Sequence, residues 1–141
     1  MFRILVAVDG SESSDRAVSH LLKKLAWYKD TLEVHLLNVQ PALPAGVARF
    51  VPSDQLHDYH REHAESALAS ARAILDGAKV RYVTHIGVGE PAHVITGYAK
   101  EKSIDQIVMG TRGLGAVTGM VLGSVTTKVL SLAEVPVLLV K

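Results

Sequence analysis

Apolar positions along this chain follow two rhythms that take turns. Four runs are continuous instead of alternating: Ile4 to Val8, Val34 to Val39 (broken by His35 and Asn38), Ile104 to Met109 (broken by Asp105 and Gln106) and Val135 to Val140. A strand that is apolar on both faces must be covered on both, so these runs predict buried strands of a parallel sheet. A fifth stretch, Val80 to Ile86, is mixed but rich in β-formers, as an edge strand would be. Between the strands the spacing becomes helical. Ala17, Val18, Leu21, Leu22 and Leu25 form one stripe, preceded by the capping-type run Ser11-Glu12-Ser13. Leu56, His60, His63, Ala67, Ala71 and Ile74 form a longer one, begun after Pro52-Ser53 and stopped at Gly77. Pro91 suits the first turn of a third helix carrying Ile95, Tyr98 and Ala99, and Val125, Val129, Leu132 and Ala133 face one way on a fourth.

The resulting order, β-α-β-α-β-α-β-α-β, predicts an α/β fold: a doubly wound, Rossmann-like five-stranded parallel sheet with helices on both faces and right-handed crossovers. In such sheets a ligand sits beyond the carboxyl ends of the strands, where the strand order reverses. Two connections are longer than usual. Gln40 to Pro52 holds Pro41, Pro44, Gly46 and Pro52, which makes it stiff and irregular, a candidate lid or contact arm. Leu114 to Leu122 is too apolar for a freely solvated loop and is expected to pack on something.

Composition narrows the picture only a little. At 141 residues the chain is expected to form a single domain, 1–141, and 48% hydrophobic with 21% charged residues describes an ordinary soluble globular protein. A net charge of +1 without a dense basic cluster gives no case for nucleic acid. The run Ile4 to Val8 is too short for a signal-peptide core, and no other run approaches a membrane span. With no cysteine in the chain, a cytoplasmic location is the expectation.

The chemistry concentrates at Gly110-Thr111-Arg112-Gly113, which directly follows Ile107-Val108-Met109 and is separated by nine residues from Gly123-Ser124. Glycine permits close backbone approach, so a glycine-dense turn between strand and helix can aim several N–H groups at one anion. Ser124, followed by Val125-Thr126-Thr127, reads as the N-cap of the last helix, whose dipole adds to that pull. The implied chemistry is phosphate binding by backbone, with a nucleotide as the leading ligand. Competing signatures fail: no Gly-x4-Gly-Lys-Ser/Thr occurs, and Thr118 stands where a dinucleotide motif starting at Gly113 needs its third glycine. Asp9, ending the first strand, is a candidate ligand or metal contact, and Arg112 a candidate phosphate contact. His57, His60 and His63 recur every third residue, but two fall on the apolar stripe and no ligand set is complete, so packing is favoured over metal. Trp27 and Tyr28 read as packing residues and Lys128 as surface.

The spacing Gly-x2-Gly-x9-Gly-Ser resembles that of the ATP-binding universal stress proteins. So do the opening from Ile4 to Glu12, the segment Gly87-Val88-Gly89-Glu90-Pro91 and the ending Val135 to Val140. The likeness covers essentially the whole chain. It implies a sheet of order 3-2-1-4-5, of the adenine nucleotide alpha hydrolase-like kind. It further implies that Asp9 lies near ribose and metal, that Ala7 and Val8 line the base pocket and that the backbone of Val39 meets adenine. Met109, Gly110, Thr111, Arg112 and Gly113 would lie along ribose and phosphates, and Gly123, Ser124, Val125 and Thr126 would hold the phosphate tail. ATP, or AMP or ADP, with Mg²⁺ is the implied cofactor, and a homodimer through Val137 to Val140 the implied assembly. Ala7 is a departure, because some nucleotide-binding members have proline there. The reading is therefore a nucleotide-binding regulatory protein with no assigned catalytic residue. A slow ATPase or nucleotide-dependent transferase and a ligand-free dimerisation scaffold stay open beside it.

Overall fold

A computed structural model describes residues 1–113 and 122–141. The described chain runs β1 (Phe2–Ala7), α1 (Glu12–Lys24), a 3₁₀ turn (Leu25–Trp27), β2 (Leu32–Gln40), α2 (Ala45–Ala48), α3 (Ser53–Gly77), β3 (Tyr82–Val88), α4 (Pro91–Glu101), β4 (Gln106–Gly110), α5 (Ser124–Leu132) and β5 (Val137–Val140). All neighbouring strands pair in parallel, in the order β3-β2-β1-β4-β5. The strand order and doubly wound architecture are those expected from the sequence.

Because side chains alternate across a strand, each continuous apolar run feeds two cores. Ile4, Val6, Val34, Leu36 and Val108 point to one face, where α1 supplies Ala17, Val18 and Leu21 and α3 supplies Leu68, Ala71 and Leu75. Leu5, Leu37, Ile107 and Met109 point to the other, against Ala92, Ile95 and Ala99 of α4 and Val129 of α5. The chain winds outward from β1 through β2 to β3, then returns to place β4 on the far side of β1. The order therefore reverses between β1 and β4, and their carboxyl ends diverge there.

Local signals account for the helix starts. The Ser11 side chain accepts the Ser14 N–H (3.2 Å) and caps α1, with Glu12 and Asp15 in the first turn and Lys23 and Lys24 in the last. Glu90 caps α4, accepting the N–H groups of Ala92 and His93, and Pro91 takes the first helical position. Gly87 and Gly89 prepare that start. Gly89 has φ +143°, and a Cβ on Gly87 would stand 2.5 Å from Cγ1 of Val94, so the bare backbone lets α4 settle onto the sheet.

Several expectations are corrected. The buried line of α3 is His60, Ala64, Leu68, Ala71 and Leu75, one step round from the expected stripe, and His63 is exposed. The small side chains of Ala64 and Ala67 made the two registers hard to tell apart by periodicity alone. Trp27 is not a packing residue: it is 73% exposed, with the Lys24 ammonium 3.7 Å above its ring. Tyr28 does pack, stacking on Phe2 and donating its hydroxyl proton to Gln106 (3.1 Å). The proline-rich connection after β2 contains the short helix α2, in which Val47 is exposed, as is Phe50 just beyond it. The expectation that Leu114 to Leu122 packs on something falls, up to Val121, outside the described residues.

The close approaches give a stability prediction. A Cβ on Gly110 would lie 2.7 Å from the carbonyl carbon of Ser13, a backbone atom, whereas the nearest atoms to one on Gly87 all belong to side chains, which yield more readily than backbone. Gly110→Ala is expected to cost about 1–3 kcal/mol and Gly87→Ala clearly less. Urea denaturation of the two variants checks the order, and the reverse order would refute the close-approach account of Gly110.

Candidate functional site

Two glycine turns meet where β1 and β4 part. After Ala7 the chain bends through Asp9-Gly10; Gly10 has φ +87°, and its missing Cβ leaves room for the Ala67 backbone of α3. Asp9 Oδ1 accepts the Ser11 N–H (2.9 Å), which ties the carboxylate to the start of α1. After β4, Gly110 runs against the first turn of α1, and Ser13 Oγ accepts the Arg112 N–H (3.4 Å). The second glycine segment is fastened to the first by two bonds. Gly123 N–H donates to Thr111 O (2.7 Å), and the buried Thr126 hydroxyl donates to Gly110 O (3.1 Å). Residues ten and more apart in sequence are thus held as one wall.

Between this wall and α4 lies a cavity of about 380 Å³. Its apolar half is lined by Ala7 and Val8 of the first strand and its exit, Val39 and Met109. Its polar half is lined by Asp9, Gly110, Arg112 and Gly113 on one side and by Gly123, Ser124, Val125 and Thr126 on the other. Of the residues singled out in the sequence, only Thr111 is off the wall: it is buried, and its N–H donates to Val140 O (3.2 Å), extending the β4–β5 ladder. Four lining residues escaped the sequence reading, namely Ser14, Leu37, Pro91 and Ile95. Leu37 was findable, since it sits two residues before Val39 and so shares its face. Ile95 stands one turn after Pro91, but only the sheet order shows that the start of α4 overlies β2.

The backbone of Val39 lies where β1 and β2 part. Leu37 O accepts the Val8 N–H (2.9 Å) in the last β1–β2 bond. Two residues later Val39 turns its own N–H and C=O the same way, toward a side that β1 has left. Asn38, buried within β2, donates its Nδ2 proton to Val8 O (2.8 Å) and fixes the end of β1 while it diverges.

The polar half carries a fixed positive end. The helix begins at Gly123, which is the N-cap in place of the expected Ser124, and Ser124 stands inside the first turn. Thr127 N–H bonds back to Gly123 O (3.0 Å), so the amides of Ser124, Val125 and Thr126 precede the first intrahelical bond. All three residues line the cavity, which therefore lies at the positive end of the helix dipole. Next to the lining residue Pro91, Glu90 of the α4 cap pairs with Lys128 of α5 at 3.5 Å. The Glu90 carboxyl is lowered to about 2, first by the His93 backbone N–H and then by the His93 side chain, the Ala92 N–H and Lys128. The arrangement offers an apolar pocket that runs to the first turn of a helix.

A doubly wound parallel α/β sheet with a cleft at its switch point is the class that fold and site define. Within it, this chain belongs to the universal stress protein family, whose model matches residues 1–141. It is 34% identical to universal stress protein YxiE of Bacillus subtilis, over 99% of this chain and 98% of that one. Its fold superposes on protein MJ0577 of Methanocaldococcus jannaschii with a TM-score of 0.82, at 29% identity and covering 99% and 95% of the two chains. A universal stress protein solved in complex with cAMP matches with a TM-score of 0.72, at 25% identity and covering 99% and 97%.

Glu90 supplies a pH prediction. Its folded value lies below the usual 4.5, so its contribution is full above that value and is lost as pH falls through about 2. Glu90→Ala is expected to lower the melting temperature near neutrality, with the gap from wild type closing on acidification across that window. Circular-dichroism melts along a pH series check it; a gap that stays constant would remove the capping role.

Proposed function

We propose that this chain is an adenine-nucleotide-binding regulatory protein that takes ATP, ADP or AMP in the cleft at the β1–β4 switch point. The observation that carries the reading is the division of that cleft. Ala7, Leu37, Val39, Ile95 and Met109 surround a slot suited to a purine, and the amides of Ser124, Val125 and Thr126 stand at its other end. The relative in complex with cAMP supports adenine as the base. In this reading the Val39 main chain meets the edge of the base, as adenine offers both a donor and acceptors there. Arg112 and the Gly113 backbone lie along the phosphates, and Gly110 keeps the turn close enough for them to do so.

Mg²⁺ enters with the ligand. Asp9 is a carboxylate on the cleft wall, a ligand type suited to a hard cation that also takes phosphate oxygens and water. Among the described residues no group of three or more His, Cys, Asp or Glu could hold a metal, which fits an ion shared with a nucleotide better than a resident one. A triphosphate carries more negative charge and more oxygen ligands than a monophosphate, so it gains more from the cation. No described helix is long and apolar enough to cross a membrane.

A homodimer through β5 completes the proposal. Among the described residues Val137–Val140 forms a sheet edge paired with β4 on its inner side, and all four residues are half-buried. Such an apolar edge is suited to a second copy of itself.

Titration calorimetry with ATP and Mg²⁺, and with AMP, tests the site. Heat is expected for both, with EDTA weakening ATP more than AMP. No heat and no thermal shift at millimolar nucleotide would overturn the reading. Gly113→Val, whose side chain would collide with Asp9 Oδ2 on the cleft wall, is expected to weaken binding by roughly tenfold or more with the circular-dichroism spectrum kept.

A further inference from the structure

On the α4 face of the sheet, behind the cleft, two histidines face each other. His35 of β2 is 6% exposed, and its Nδ1 lies 3.1 Å from Nε2 of His85 on the edge strand β3. The rings stack, with centroids 5.2 Å apart, and the Tyr98 ring of α4 leans on His85 at 4.5 Å. On its outer side, His35 Nε2 lies 2.6 Å from Glu33 Oε1. We propose that His35 and His85 form a proton-operated latch between β2 and β3, whose opening on acidification loosens the adjoining wall of the cleft.

The chemistry follows from the donor inventory of the imidazole ring. The Glu33 carboxylate only accepts, so Nε2 of His35 carries a proton. In the neutral pair Nδ1 of His35 is then an acceptor, and Nε2 of His85 donates to it. One added proton keeps both bonds, either on His85 Nδ1 or on His35 Nδ1 with the shared bond reversed. A second added proton puts N–H groups on both facing nitrogens and two charges on stacked rings. The link between the strands becomes a repulsion.

The charged surroundings fix the sign. From β2, Glu33 holds a proton on His35 and is itself held below its usual range, first by the His35 hydrogen bond and also by Arg3 of β1. From α4, Lys102 opposes protonation of His85 and Glu101 favours it. His85 is lowered overall, mainly by burial and then by His35. Tyr98, pushed up to about 12 by burial, stays neutral throughout. A histidine lowered in the fold contributes stability that is full above its ordinary 6.5 and is lost as pH falls below that value.

The latch adjoins the cleft through two short routes. Along β2, His35, Leu37 and Val39 share one face, and the latter two line the cavity. Along α4, Tyr98 sits one turn beyond Ile95, which also lines it. Loosening β3 and the Tyr98 contact therefore releases both sides of the slot.

Imidazole ¹H–¹⁵N spectra of the ligand-free protein, recorded from neutral to acid pH together with amide protection factors, test the latch. Proton uptake is expected to belong to the facing pair as a whole and to come in two coupled steps. Past the second step, protection at His85, Val39 and Ile95 is expected to drop by roughly tenfold or more. His85→Gln keeps a donor toward His35 but takes no proton, so its protection there should not fall. A single uncoupled step near the ordinary value, unchanged protection, or an equal loss in His85→Gln would each overturn the proposal. The readout needs no nucleotide, so failure of ligand binding and failure of the latch are separate results.

Discussion

Gly110 has no side chain at the point where β4 ends, and the first turn of α1 fills the space that one would need. The site depends on that close contact. With Ser13 against the Gly110 backbone, its hydroxyl can accept the Arg112 N–H, which sets the direction of the turn after β4. The turn then presents Thr111 O to Gly123 and Gly110 O to Thr126, and the start of α5 is fixed in consequence. A glycine that a phosphate-binding motif assigns to the ligand is here first required by helix packing. The two roles are compatible, since the same absence of a Cβ brings α1 close and keeps the cleft open.

The cleft is a product of divergence. Parallel strands that pair fully along their length leave no room at their ends, but β1 and β4 send their connections to opposite faces of the sheet. Asn38 sustains the gap by taking the Val8 carbonyl as β1 leaves β2. The apolar slot is what remains of the α4-face core once strand backbone no longer fills it. The polar end follows from the unpaired first turn of α5. The apolar slot and its polar end thus come from two general properties of the fold, and few charged side chains are involved.

Hydrogen bonding explains why the polar residues in β2 are tolerated on either face of the sheet. Asn38 is buried but bonded to the main chain, and His35 is buried but bonded on both sides. Burying a polar group without a partner costs about 1–3 kcal/mol, so each interruption of the apolar run must be satisfied where it stands. Asn38 is satisfied by geometry that does not change with pH. His35 is satisfied by a partner that titrates, which makes the row His35, Leu37, Val39 a line along which proton uptake and cleft shape meet.

Much of this was legible in the residues. Continuous apolar runs named the strands, because a doubly covered strand has no polar face to show, and the glycine spacing named nearly all of one cleft wall. Phase and partnership were not legible. The register of α3 was one step off because alanines at 64, 67 and 71 weigh alike until neighbours decide which is covered. The family resemblance put Thr111 beside the phosphates, whereas the fold buries it and the β5 ladder takes its N–H. Ser124 had the side chain of a cap, but the Gly123 backbone takes that position. The pairing of His35 with His85, fifty residues apart, could come only from the parallel register of β2 and β3. Sequence determines what each segment must bury; the tertiary structure decides which groups meet, since long-range contacts depend on strand order and helix rotation that no local pattern encodes.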